Sequence, residues 1–199
     1  MRNQRTLFLV CLLFFASFLL TALLRSTFSV IDLQVNSWTV SIQTGFFTPT
    51  AVIIAYVFDT ASLSAISLII ALYLFYLKRA KYSVLLLSAM GGDAILVAVT
   101  KTLIQSPRPL NSLISDSGFS FPSGHAAGSI VFCGLLAYFT WQHWKTGKAK
   151  TASGVLVVTA TSIVGFDRVY LNVHWFSDVL GGFLLGLFWL TFTLWIFEL

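Results

Sequence analysis

Hydrophobic residues make up 57% of this 199-residue chain, and charged residues make up only 10%. A typical soluble domain carries about 25% charged residues, so the composition excludes that class and indicates a polytopic membrane protein. The formal net charge of +5 does not indicate nucleic-acid binding, because the cations form no continuous basic run with interleaved aromatic residues. The two cysteines lie in apolar runs and lack metal-binding spacing, so neither a disulfide nor a metal site is expected.

Six apolar runs predict six membrane-spanning helices. The first, residues 7–24, follows a basic start and is long enough to cross about 30 Å of hydrocarbon at about 1.5 Å per residue. A signal peptide is a weaker interpretation, because the run is long for one and no small-residue cleavage site follows it. The other predicted spans cover residues 49–77, 82–104, 125–141, 152–166 and 173–197.

Residues 25–47 are less apolar than these spans. Polar side chains such as Asp32, Asn36 and Gln43 are spaced there among aliphatic ones, which predicts an interfacial amphipathic segment or a lid beside the membrane. No linker is long enough to divide the chain, so we expect one integral membrane domain. Residues 1–48 would supply a span and the interfacial segment, and residues 49–199 a helical core.

The cations predict the orientation of the six spans. Eight of the twelve Lys and Arg residues fall on one side, and the positive-inside rule places that side and both termini in the cytoplasm. The eight are Arg2, Arg5, Lys78, Arg79, Lys81, Lys145, Lys148 and Lys150. The outer side carries Arg25, Lys101, Arg108 and Arg168, and the last three belong to polar segments at the outer helix ends.

The densest polar segment covers residues 167–178 and holds four ionisable side chains at a predicted membrane edge. Arg168 is a fixed cation suited to a phosphate or carboxylate. His174 and Asp178 are four residues apart, a spacing that places both on one face of a helix. The carboxylate can then hold one ring nitrogen and leave the other free to attack or to accept a proton.

Two further polar segments lie at the ends of spans three and four. Lys101 and Arg108 flank the end of the third span, where a snorkelling lysine and a proline-terminated helix are an equally good explanation. Ser123, Gly124 and His125 open the fourth span, where free amides form an anion site and glycine allows close approach. An N-capped helix with an interfacial histidine is the alternative.

The six-span arrangement brings the outer ends of spans three to six to one face, so these side chains can converge on one pocket. Three cations, backbone amides and a hydroxyl match the oxygens of a phosphate group. Two histidines can then divide the work of nucleophile or base and of acid, although the spacing alone does not assign which is which.

These residues resemble the three motifs of the type 2 phosphatidic acid phosphatase (PAP2) superfamily. The matching segments are Lys101-x6-Arg108-Pro109, Pro122-Ser123-Gly124-His125 and Arg168-x5-His174-x3-Asp178. The resemblance implies an all-α membrane protein with six transmembrane helices, whose helical core is shared with haloperoxidases. It also implies a phosphatase that requires neither a metal nor another cofactor.

The resemblance further implies a role for each motif residue. His174 would attack phosphorus to form a phosphohistidine, Asp178 would orient its ring, and His125 would protonate the leaving oxygen. The remaining five would bind the phosphoryl oxygens: Lys101, Arg108, Ser123, Gly124 and Arg168. The family usually has a serine where this chain has Asp167, so we expect Asp167 to turn away or to pair with Arg168.

The expected substrate is a lipid phosphate or isoprenoid diphosphate in a bacterial plasma membrane, with the site on the extracytoplasmic side. Its tail would enter sideways between helices, and residues 25–47 are one place for that entrance. No nucleic-acid or obligate protein partner is inferred. The alternatives are a haloperoxidase-like enzyme and a non-catalytic lipid-phosphate binding or transport protein. Asp59 and Asp93 are predicted to lie well inside the bilayer. Carboxylates at that depth are functional candidates by default, but hydrogen bonding between helices is the simpler explanation.

Overall fold

The computed structural model describes residues 2–143 and 146–198, so Lys145, one of the cations used for orientation, lies outside it. The described part is all-helical, as predicted, and a 3-10 turn, Arg25–Phe28, joins its first two α-helices. The eight α-helices are α1 (Arg2–Leu23), α2 (Ser29–Ile42), α3 (Thr48–Val57), α4 (Thr60–Tyr76), α5 (Ala80–Ile104), α6 (Gly124–His143), α7 (Gly147–Tyr170) and α8 (Phe176–Phe197).

Five helices of the described part are long and apolar enough to cross a membrane: α1, α5, α6, α7 and α8. The pair α3 and α4 meets the same criterion as one broken span that bends by 50°. The six-span prediction is confirmed with this pair counted as one span, but a continuous helix over 49–77 is wrong. The helix breaks because Asp59 is extended and caps α4, accepting a hydrogen bond of 3.0 Å from the Ala61 amide.

The third motif also differs from its predicted local structure. Asp167 and Arg168 lie in the last turn of α7, and α8 begins only at Phe176. The expectation that His174 and Asp178 share one helix face is therefore wrong, because His174 precedes the helix. Trp175 is extended, and its amide donates to the Asp178 carboxylate at 2.8 Å, which starts α8 after the histidine.

Close packing of α6 and α8 brings the second and third motifs together. A Cβ atom at Gly182 would lie 2.5 Å from the Ser123 carbonyl oxygen, and one at Gly186 would lie 2.7 Å from that of Ala127. Small residues one turn apart let two membrane helices approach backbone to backbone. The contact is continued by a 3.0 Å hydrogen bond from the Ser123 amide to the Asp178 carbonyl.

Helix α2, which forms most of the predicted interfacial segment, braces the turn between α7 and α8. Buried Asp32 accepts hydrogen bonds from the Ser177 amide at 2.8 Å and the Ser177 hydroxyl at 2.7 Å. Asn36 and Thr39 each donate to the side-chain oxygen of Asn172 at 2.9 Å. Asn172 has a φ of 52°, which asparagine tolerates better than most residues. These contacts hold the turn that carries His174.

Candidate active site

A cavity of about 250 Å³ lies between α4, α5 and α6 and reaches the loop that follows α5. Five of the eight residues predicted for the site line it: Lys101, Arg108, Gly124, His125 and His174. The other three, Ser123, Arg168 and Asp178, lie behind this wall and are almost completely buried. The two motif histidines therefore share one cavity, although 49 positions separate them in the chain.

The two nitrogens of the His174 ring face different partners. Nδ1 lies 3.6 Å from Asp178 Oδ2 and 3.4 Å from the Ser120 hydroxyl. Nε2 lies 3.4 Å from Arg108 Nη1, one of the cations at the cavity. Burial lowers the pKa of His174, which favours the neutral form of the ring.

Asp178 is fully buried and receives polar groups from three parts of the chain. Its Oδ2 accepts hydrogen bonds from the Trp175 amide at 2.8 Å and from the Ser120 hydroxyl. Its Oδ1 has no hydrogen-bond donor among the described residues, and Arg25 Nη2 lies 3.7 Å from it. Arg25 thus supplies positive charge behind the carboxylate that faces His174.

Arg25 is itself held in a defined position. Its guanidinium donates to the Ser106 hydroxyl and lies over the Phe121 ring, 4.7 Å from the ring centroid. Stacking of a guanidinium on an aromatic face is a favourable cation–π arrangement. The connection between α1 and α2 therefore places a cation, Arg25, next to Asp178 of the third motif. The sequence interpretation had counted Arg25 only among the charges of the outer side.

Arg108 is fastened to the loop that covers the cavity. It donates to the carbonyl oxygens of Val173 at 2.7 Å and Gly118 at 3.1 Å, and Asp116 Oδ2 lies 2.9 Å from its Nη1. Lys101 donates to the Phe119 carbonyl at 2.8 Å. Asp116 also lines the cavity, and its carboxylate occupies the position beside Arg108 where an oxyanion would bind. An anion that binds Arg108 in this cavity would have to displace the Asp116 carboxylate.

His125 lies in the first turn of α6 and contacts two further charged residues. Its Nε2 lies 3.2 Å from Arg168 Nη1, 3.8 Å from Asp59 Oδ1 and 3.1 Å from the Ala55 carbonyl oxygen. The Asp59 side chain is 45% exposed and lines the same cavity. Asp59 stands at the break between α3 and α4, within the stretch that counts as one broken span, so its depth in the bilayer stays a prediction.

Asp167 and Arg168 form a buried ion pair. Asp167 Oδ2 accepts hydrogen bonds from the Arg168 Nε, at 3.0 Å, and from its Nη2. The sequence left two arrangements open for Asp167, turning away or pairing with Arg168, and the structure has the pair. The pair leaves the Arg168 Nη1 free to contact His125.

Ser123 has a different environment from the cavity residues. Its hydroxyl accepts a hydrogen bond from the Ala126 amide at 3.4 Å, and its side chain is fully buried. The hydroxyl therefore caps α6, as the alternative interpretation of this segment allowed. Gly124, the next residue, reaches the cavity wall, where the first amides of a helix have no partner within the helix.

Four residues near this site were not recognised from the sequence as part of it: Arg25, Asp59, Ser120 and Asp116. Arg25 and Asp59 are far along the chain from the motifs, so no spacing rule connects them to the site. Ser120 and Asp116 lie within the motif region but in an irregular loop, where neither helical nor strand periodicity predicts which side chains face inward.

Comparisons with known proteins agree with this arrangement. Residues 82–199 match the PAP2 superfamily, and the chain belongs to that family. It is similar to a solved PAP2-type phosphatidylglycerolphosphate phosphatase from Bacillus subtilis, with a TM-score of 0.86 and 29% identity over 95% of this chain and 96% of that one. The fold prediction is thereby confirmed, and the protein is a multi-pass membrane protein.

Two curated relatives align over shorter regions. Phosphatidylglycerophosphatase B of Bacillus subtilis (strain 168) is 37% identical over 121 residues, which are 60% of each protein. Undecaprenyl-diphosphatase of Sulfolobus acidocaldarius is 29% identical over 130 residues, which are 61% of this chain and 58% of that protein. The alignments thus span about three fifths of these curated relatives.

Proposed function

We propose that the protein is a membrane lipid phosphatase that removes a terminal phosphate from a lipid phosphate or an isoprenoid diphosphate through a phosphohistidine intermediate. The observation that carries the proposal is the placement of His174: Nε2 faces the cavity beside Arg108, while Nδ1 faces buried Asp178. A histidine oriented by a carboxylate and next to a phosphate-binding cation is arranged for nucleophilic attack on phosphorus.

In the first step His174 Nε2 attacks the terminal phosphorus, and the bond from phosphorus to the leaving oxygen breaks. The leaving group is an alcohol from a lipid phosphate and the lipid monophosphate from a diphosphate. His125 donates a proton to that leaving oxygen. In the second step water attacks the phosphohistidine, His125 accepts a proton from the water, and the bond between nitrogen and phosphorus breaks to release inorganic phosphate. Asp178 orients the His174 ring and stabilises the positive charge that the ring gains.

The cations and the start of α6 stabilise the transferred group. Lys101, Arg108 and the Gly124 amide line the cavity and are assigned to the phosphoryl oxygens. Arg168 and Ser123 are buried behind the cavity wall, so we assign them an indirect role in binding the same phosphate group. Both act through the first turn of α6. Ser123 caps that turn, and Arg168 contacts the His125 ring.

The substrate class is supported by the relatives, which are named for phosphatidylglycerophosphate and undecaprenyl diphosphate. Phosphatidic acid is the third candidate, because it presents the same terminal phosphate on a shorter headgroup. Apolar helices surround the cavity, so the tail remains among them while the headgroup reaches the cations. Residues of α4, α5, α6 and the loop after α5 line the cavity, and none of the lining residues comes from residues 25–47, where the sequence interpretation placed one possible entrance.

We also propose that the site faces the extracytoplasmic side and that residues 1–199 form one integral membrane domain. The two ends of the described chain lie together, with the Gln4 side chain donating to the Glu198 carbonyl at 2.8 Å. Lys101 lies in the last turn of α5. The first turn, at the opposite end of this helix, contains Lys81 and directly follows Lys78 and Arg79. The positive-inside rule assigns that basic end, and with it both termini, to the cytoplasm.

The test is a phosphate-release assay on purified protein in detergent with phosphatidic acid, phosphatidylglycerol phosphate and undecaprenyl diphosphate. We expect His174→Ala to lose activity by more than a thousandfold and to form no acid-labile phosphoenzyme. The matched control is His143→Ala, which changes the third histidine of the chain and should retain activity. The proposal fails if His174→Ala, folded normally, releases phosphate at the parent rate. Halide oxidation after addition of vanadate and peroxide would favour the haloperoxidase alternative.

A further inference from the structure

Asp93 is a buried carboxyl group that the phosphatase mechanism does not use. It lies on α5, and its side chain is 4% exposed. It lines the same cavity as Lys101 but eight residues earlier on the helix, which corresponds to about 12 Å along the axis at about 1.5 Å per residue. No described residue forms a hydrogen bond with its Oδ1 atom.

The surroundings of Asp93 do not explain its presence structurally. Leu63, Met90 and Val97 line the cavity with it, and the Ser64 hydroxyl on α4 donates to the Thr60 carbonyl. On the facing helix, a Cβ atom at Gly128 would lie 3.7 Å from Asp93 Oδ2, so the glycine leaves space beside the carboxyl group. An unpaired polar group in such a wall is costly, and a leucine of similar size would avoid that cost. Oδ1 thus has no hydrogen-bond partner among the described residues, and the side chain as a whole lines the cavity, where a ligand can bond to the carboxyl group.

The position of Asp93 restricts the chemistry of that ligand. Lys101 and Arg108 bind the terminal phosphate at one end of the cavity, so Asp93 meets the part of the substrate several bonds further along. A glycerolipid phosphate carries hydroxyl or ester oxygens there, and a carboxyl group can form hydrogen bonds with them. An isoprenoid diphosphate carries hydrocarbon beyond its second phosphate, which leaves the carboxyl group unpaired.

We propose that Asp93 forms a subsite for the oxygen-bearing glycerol unit next to the terminal phosphate, so that the cavity favours glycerolipid phosphates over isoprenoid diphosphates. This unit is the backbone in phosphatidic acid and the headgroup glycerol in phosphatidylglycerol phosphate. This inference rests on the proposed phosphatase function and adds the substrate class to it. The preference arises because the carboxyl group gains a partner only with the glycerolipid. The carboxyl group acts as a specificity determinant and takes no part in the transfer of the phosphoryl group.

The experiment compares kcat/KM for phosphatidic acid and phosphatidylglycerol phosphate with that for undecaprenyl diphosphate, in Asp93→Leu and in the parent. One lost hydrogen bond corresponds to about a tenfold change. We expect Asp93→Leu to lower the ratio of glycerolipid to isoprenoid activity by about tenfold. Asp93→Asn retains a donor and an acceptor and should keep that ratio within about threefold.

Ser83→Ala is the matched control, because it also removes a buried polar group from α5 but at the end of the helix far from Lys101. The Ser83 hydroxyl donates to the Ala71 carbonyl on α4. This variant should leave the substrate ratio unchanged. A second measurement uses dioctanoylglycerol, which has the backbone but no phosphate, as an inhibitor of undecaprenyl diphosphate hydrolysis. Asp93→Leu should weaken that inhibition by about tenfold while inhibition by farnesol stays constant.

The outcomes separate the subsite from the phosphatase function. An unchanged substrate ratio, or an equal loss with both classes, would overturn the subsite while leaving the phosphatase intact. If the parent releases phosphate from none of these lipids, the proposed function fails and the subsite fails with it. If Asp93→Leu does not fold, Asp93→Ala removes the same hydrogen bond and is judged by the same ratio.

Discussion

Replacement of Arg25 tests whether the site depends on a charge from outside its three motifs. Arg25 Nη2 lies 3.7 Å from Oδ1 of Asp178, and this carboxylate oxygen has no hydrogen-bond donor among the described residues. At an effective dielectric constant of about 20, two unit charges at that separation attract by about 4.5 kcal/mol. The Arg25 side chain is 21% exposed, and desolvation offsets part of the attraction.

If about half of this attraction remains, Arg25→Met removes about 2 kcal/mol from the support of the Asp178 carboxylate, or about 30-fold in rate. The assay is phosphate release from the best substrate, with kcat and KM measured separately. We expect the loss in kcat, because Arg25 acts through Asp178 and His174 and does not line the cavity. Arg25→Lys should recover part of it, since it restores the charge without the planar fork.

Lys148→Met is the control for the loss of one positive charge, because Lys148 is exposed at the start of α7, far along the helix from Arg168. It should leave both kinetic constants unchanged. The reasoning about Arg25 is refuted if Arg25→Met, inserted and folded like the parent, keeps its kcat within twofold. A rise in KM alone would instead place Arg25 in direct substrate binding.

Two further predictions concern carboxylates beside the cations that we assign to the phosphate. Asp167→Ser should keep activity near or above the parent value, as the family's usual serine suggests, yet lower the melting temperature measured by intrinsic fluorescence. It leaves buried Arg168 without its counter-ion, and breaking a buried pair costs about 3–5 kcal/mol. Asp116→Asn should strengthen competitive inhibition by inorganic phosphate about fivefold, because the partly exposed carboxylate no longer competes for Arg108 and such pairs contribute up to about 1 kcal/mol.

Each of these variants has a contrary outcome. A hundredfold loss of activity in Asp167→Ser would give Asp167 a positive role in the reaction, and Asp167→Asn, which keeps an acceptor for the guanidinium, should be the more stable of the two. Weaker inhibition of Asp116→Asn by phosphate would mean that Asp116 positions Arg108 for binding and does not compete with the ligand.

Local signals were sufficient to predict much of the fold. Long apolar runs predict spanning helices because backbone groups in hydrocarbon must be satisfied within the helix, and residues 2–143 and 146–198 contain five such helices and one broken pair. Short polar motifs at the ends of those runs mark a common face, since consecutive spans alternate in direction. That is why Lys101, Arg108, His125 and His174 could be placed at one pocket without coordinates, and all four line one cavity.

The sequence by itself therefore determined the class of protein, the number of spans and five of the residues that line the cavity. Only the tertiary structure decided how each group is oriented: the break at Asp59, the start of α8 after His174, Arg25 behind Asp178 and Asp93 in the cavity wall. The physical reason is that hydrophobic periodicity reports which side of a helix is apolar. Hydrogen bonds and charge pairs between distant segments depend on packing, which no local pattern encodes.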